Sequence, residues 1–117
     1  MNEQEFKRRT KQAALRVIRM IDALPQNTAG FVIGKQILRS ATSVGANYRA
    51  ACRAKSTADM IAKLALVEEE ADETLYWLEL LIESETMSEI RLAELIKAYD
   101  EILAMTVSSI KTLRKKS

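Results

Sequence analysis

IGKQILRSATSVGANY, residues 33–48, carries two stripes at helical spacing. Ile33, Ile37, Ala41, Val44 and Tyr48 form an apolar one, and Gln36, Ser40, Ser43 and Asn47 recur beside it every three or four residues. The wet face of a helix is ordinarily filled with long charged side chains, whereas this second stripe is short and uncharged and so reads as buried or half-buried. Two stripes on one helix imply two neighbours. The run speaks of architecture and assembly, and it names no reaction or ligand.

Working outward, Phe6, Ala13, Val17, Ile21 and Leu24 share one face of a helix expected from Glu3 to Leu24, which Pro25, Gln26 and Asn27 end. Thr28 is the expected cap of the second helix, which runs to about Lys55, and Ser56 or Thr57 that of the third. The third, Ala58 to about Glu83, repeats Met60, Leu64, Val67, Ala71, Leu75, Leu78 and Ile82 as a near-heptad seam. Ser88 caps a fourth, on which Leu92, Leu95, Tyr99, Ile102, Thr106, Ile110 and Leu113 continue the pattern. Helical glycine costs up to ~1 kcal/mol relative to alanine. Gly45 beside Ser43, Ala46 and Ala50 therefore marks a close approach, within the chain or between subunits.

The composition agrees. Three glycines, one proline and 5% aromatics among 117 residues supply few turns or strands, while 48% hydrophobic residues suffice for one core. The fold class is all-α, an up-down-up-down antiparallel four-helix bundle, with residues 1–117 forming a single domain. Cys52, the sole cysteine, reads as a small buried side chain in a reducing compartment rather than a reactive thiol. The charged N-terminus lacks a signal-type apolar run, and no stretch approaches the ~20 apolar residues that cross a bilayer. A cytoplasmic protein without membrane contact is expected.

If helices two and three turn back near Ser56, Arg39 lies by Glu73, Gln36 by Trp77, and Ser43 by Glu69 or Glu70. Gln36, Arg39, Ser40, Ser43, Asn47, Glu69, Glu73 and Trp77 then form a polar network or an interface, read as fixing register rather than binding a ligand. Histidine is absent, which removes Ser-His and Cys-His nucleophile systems and the Glu-x-x-His pairs of di-iron bundles. Glu69 and Glu73 share a face, but an ion pair with Arg39 or Arg53 explains them better than a hard cation or an acid–base pair. Gly30 and Gly34 lack the lysine and hydroxyl of a phosphate loop. No catalytic residue, metal or cofactor is expected.

Charge is segregated along the chain. Residues 1–55 hold 11 Lys and Arg against 3 Asp and Glu, a net +8; residues 56–110 hold 3 against 13, a net −10; the last seven add +4. Folding up and down gathers Lys7, Arg8, Arg9, Lys11, Arg49, Arg53, Lys55, Lys63, Lys111, Arg114, Lys115 and Lys116 at one end, opposed only by Glu3, Glu5 and Asp59. The far end holds Glu79, Glu83, Glu85, Glu89 and Glu94. A symmetric assembly multiplies such a patch and attracts polyanions; the plainer reading is solubility plus cations complementing the dipole of helix four.

QILRSATSVGANYRAACRA, residues 36–54, and EEEADETLYWLELL, residues 68–81, resemble the four-helix-bundle family encoded by intervening sequences within bacterial 23S ribosomal RNA genes. Gln36, Leu38, Arg39, Ser40, Ser43, Asn47, Glu69, Glu73 and Trp77 carry the resemblance. Relatives place a glutamate three residues after the asparagine; this chain has Ala50, so no role of that carboxylate carries over. The resemblance implies a homopentameric ring without established enzymatic activity. It extends to accessory proteins of diversity-generating retroelements, a similar bundle for which binding to nucleic acid and reverse transcriptase is implied. The expectation is a non-enzymatic oligomeric module that contacts RNA or DNA phosphates through its basic end. The alternative is a structural adaptor ring for a protein partner such as a reverse transcriptase or other polymerase.

Overall fold

Each helix in the computed structural model, which describes residues 2–116, starts on a side chain that closes its first turn. Asn2 accepts the Glu5 N–H at 2.7 Å, Asn27 that of Gly30 at 2.8 Å, Ser56 that of Asp59 at 3.0 Å and Ser88 that of Arg91 at 3.4 Å. The helices are α1 (Glu3–Ile21), α2 (Thr28–Cys52), α3 (Thr57–Glu83) and α4 (Glu89–Lys116). Asn27, not Thr28, caps α2, because Asn27 keeps an extended backbone while Thr28 is already helical. The first helix stops at Ile21 rather than Leu24. Ala23 and Leu24 turn back onto Met20 and Ile21 in tight bonds of 2.9 and 3.1 Å, as the residue preceding Pro25 avoids the helical region. The second ends at Cys52 instead of near Lys55, where Arg53 and Ala54 make similar tight bonds.

Short connections make every consecutive pair antiparallel. α2 packs on α1 and α3, and α4 on α3 and α1, with no contact across either diagonal among the described residues. This all-α four-helix bundle measures 47 × 21 × 20 Å. The α2–α3 contact is the most extensive and the α1–α4 contact the least. Val17, Ile37, Ala41, Val44, Val67, Ala71 and Leu78 are wholly buried at the centre, at about 25 cal/mol of stabilisation per Å² of apolar surface withdrawn from water.

The core also holds polar groups, of which Thr10 and Thr74 lie outside the expected stripes. Thr10, Ser40, Thr74 and Thr106 are buried, and their hydroxyls bond to carbonyls one turn back. Tyr99 is buried with no hydrogen-bond partner for its hydroxyl among the described residues. Gly45 meets Thr10 of α1: a Cβ there would sit 3.3 Å from the Thr10 Oγ1, so the close approach is met within the chain. At Gly30 a Cβ would fall 2.1 Å from the Pro25 carbonyl oxygen, which fixes the α1–α2 turn to glycine. Among the described residues, no helix is long and apolar enough to cross a membrane.

Candidate polar network and nucleic-acid interface

The second stripe of α2 faces α3. Ser40 lies fully buried with Thr74 opposite, whose Oγ1 donates to Ser40 Oγ at 2.8 Å as an alternative to the Glu70 carbonyl, also at 2.8 Å. From the residue preceding Ser40, the guanidinium of Arg39 is held on three sides. Its Nη1 donates to Glu70 Oε2 at 2.8 Å, its Nη2 donates to Glu73 Oε2, and its Nε donates to Gln36 Oε1 at 3.3 Å. Trp77 Nε1 donates to the same Glu73 oxygen at 3.0 Å. The indole proton first, and Arg39 second, hold the Glu73 carboxyl below the usual carboxylate range against a burial that raises it. Arg39 is in turn raised by Glu73 and Glu70.

Of the expected network, Gln36, Arg39, Glu73 and Trp77 are brought together and Ser40 anchors its buried edge. Glu69 is not part of it. It points outward, and Glu70, one residue on and therefore rotated by about 100° around the helix, meets Arg39 instead. Ser43 and Asn47 pair locally, the Asn47 amide donating to the Ser43 carbonyl at 2.9 Å. Gln36, Ser40 and Asn47 thus find partners inside one chain. In the cluster one guanidinium is shared by two carboxylates, and the described residues hold no group of three metal-ligating side chains.

At the opposite extreme of α2 the rings of Phe6 and Tyr48 stack 4.3 Å apart, joining the start of α1 to the end of α2. This is the basic end. Its acids are engaged by near neighbours: Glu3 by Lys7 at 3.1 Å, Glu5 by Arg9 at 3.6 Å and Arg8 at 3.9 Å, and Asp59 by Lys63 at 2.7 Å. Lys63, followed by the Lys55 N–H, holds Asp59 below the usual carboxylate range. Lys11, Arg49, Arg53, Lys55, Lys111, Lys115 and Lys116 are exposed without a salt bridge among the described residues, and exposed Arg114 stands with them. Cys52 is half-buried here, and burial pushes its thiol up, away from the reactive thiolate.

The cations divide between two sides of the bundle. Lys7, Lys11 and Arg49 line a groove between α1 and α2, and Arg9 a groove between α1 and α4, with Arg8 on the rim of both. The α1–α4 groove, about 300 Å³, continues past Gln12 to Arg16 with Glu101 of α4 as its one acid, and a hollow of about 380 Å³ then joins Arg16 to Arg19 and Arg91. Arg16, Arg19 and Arg91 lie outside the basic end expected from the sequence. Their signal was present in the spacing Arg9, Arg16, Arg19, which keeps one side of α1 basic over about 15 Å. The far end is accordingly not acidic all round, since Arg19 and Arg91 bring positive charge to its α1–α4 side.

Residues 2–108 match the family described as 23S rRNA-intervening sequence protein. The crystal structure of a protein with unknown function from the S23 ribosomal protein family of Bacteroides thetaiotaomicron is 40% identical to this chain. It superposes with a TM-score of 0.87 over 95% of this chain and 99% of that one. No match is found among curated proteins. A sequence match over almost the whole length, carried by a bundle of the same four helices, leads to one assignment: the chain belongs to the 23S rRNA-intervening sequence protein family.

Proposed function

We propose that the chain is a non-enzymatic module, assembled as a homo-oligomer, which holds RNA or DNA by its phosphates. The family resemblance implies five copies. One observation supports the reading above others: Arg53, Lys55, Lys111, Lys115 and Lys116 are exposed at the basic end without a salt bridge among the described residues, and the groove between α1 and α4 continues the positive charge through Arg9 and Arg16 with Glu101 as its one acid. Such a track neutralises a backbone without reading bases.

Binding to generic RNA and DNA, followed by fluorescence anisotropy against salt, tests the proposal. The slope of log K against log salt should be about −0.7 per phosphate on single strands and about −0.9 on duplex. Replacing Lys111, Arg114, Lys115 and Lys116 with Gln, or Arg16, Arg19 and Arg91 with Gln, should weaken binding and flatten the slope while circular dichroism stays helical. Replacing Glu83 and Glu89 with Gln should change little. Failure of the intact protein to bind either nucleic acid at low salt would overturn the reading in favour of an adaptor that binds a protein partner.

A further inference from the structure

The groove between α1 and α2, about 660 Å³, has an apolar floor and a basic rim. Leu15, Ile18 and Ala46 line it beside Lys7, Lys11 and Arg49, and Ile18 is 45% exposed. Lys11 and Arg49 have no carboxylate partner among the described residues. Elsewhere on the same chain, α3 presents an outward stripe of opposite sign. Leu66, Glu69, Asp72, Tyr76 and Glu79 are all exposed, Leu66 by 44% and Tyr76 by 53%, and none of the three carboxylates has a salt bridge among the described residues. Each face alone is an apolar surface left to water with unbalanced charge. Together they are complementary.

Their heights also agree. Gly45 touches Thr10, and Ser40 touches Thr74. Because α2 and α3 run in opposite directions, the five residues from Ser40 to Gly45 correspond to the five from Thr74 back to Glu69. Thr10 and Lys11 are therefore level with Glu69. α1 and α3 run in the same direction, so the seven residues from Lys11 to Ile18 match the seven from Glu69 to Tyr76. Lys11 faces Glu69 and Ile18 faces Tyr76 at the same levels, without sliding one bundle along another.

From this we infer that the α1–α2 groove receives the outward face of α3 from a second copy of the chain. The inference rests on the proposal that the protein is oligomeric, and it names the faces that make the oligomer. α1 and α3 occupy opposite corners of the bundle, so the two faces are distinct and the contact is head-to-tail. A head-to-tail contact that turns about the bundle axis without a rise closes into a ring, whereas one with a rise builds a filament. The matched heights favour the ring, with all bundles parallel.

Charge reversal with size measurement by light scattering at micromolar concentration tests the pairing. The wild type should be a closed multiple of the 13.2 kDa chain. Lys11→Glu should reduce it to the single-chain mass, and so should Glu69→Lys, both with unchanged helical circular dichroism. The two substitutions in one chain should restore the assembly, which a mere loss of folding cannot do. A wild type of single-chain mass would overturn both the oligomer and this contact. An oligomeric wild type whose mass neither reversal lowers would overturn the contact alone, as would dissociation by the single reversals without recovery in the double variant.

Discussion

Tyr99 is the residue at which the fold carries an avoidable cost. A buried donor without a partner forfeits roughly 1–3 kcal/mol of hydration, and the Tyr99 hydroxyl is wholly buried and unbonded among the described residues. Burial accordingly drives its ionisation well above the ordinary tyrosine range. Tyr99→Phe should therefore raise stability by about 1 kcal/mol, read as a higher urea midpoint at unchanged slope. A fall instead would mean that the hydroxyl is bonded in solution. Glu73 behaves oppositely. Trp77 and Arg39 favour its charged form in the folded state, so its contribution is present above the pKa of a free glutamate, about 4.3, and is lost as the pH falls through that value and then through the lower folded one. The stability gap between wild type and Glu73→Gln should thus narrow on acidification below about pH 4.3. Trp77, the only tryptophan, reports the unfolding. A gap that stayed constant across that range would remove the carboxylate from the network.

The end of α3 shows how an element can be right in outline and strained in detail. Thr86 N–H bonds to the Leu81 carbonyl at 2.9 Å and Glu85 N–H to that of Ile82 at 2.9 Å, a Schellman closure whose left-handed position is held by Glu85 at a φ of 60°. Glycine is the residue that adopts this conformation without penalty, and a side chain there costs roughly 1 kcal/mol. Glu85→Gly should raise the thermal midpoint modestly, while Glu85→Val should lower it. The helices themselves were legible because buried positions recur at helical spacing, and Ser56 and Ser88 marked two starts by their side-chain chemistry. The α2–α3 register was legible too, since height follows from residue number in a short hairpin. Azimuth was not. Glu69 and Glu70 differ by 1.5 Å in height but by about 100° in direction, and only the packed bundle shows that Glu70 turns toward Arg39. The same holds for Arg16, Arg19 and Arg91: residue number gives the end of the bundle a charge occupies, but its side depends on how α1 is rotated against α4.

On the scale of the whole molecule, the sparse α1–α4 contact governs how the chain folds and opens. All other packed pairs are consecutive in sequence, so their loops close cheaply, as in helical proteins of low contact order that fold within microseconds to milliseconds. Only α1 against α4 joins distant parts of the chain, and there the interface is thinnest. In native-state hydrogen exchange, the amides of α1 should therefore open at lower free energy than those facing each other across α2 and α3. Equal protection of all four helices at the global unfolding free energy would contradict this. The central hairpin is then the keel of the fold and α1 its hinged wall, so the groove carrying Arg9 and Arg16 is the surface that yields first. Under the proposed function it is this groove that widens around a strand while the buried Ser40–Thr74 contact stays shut.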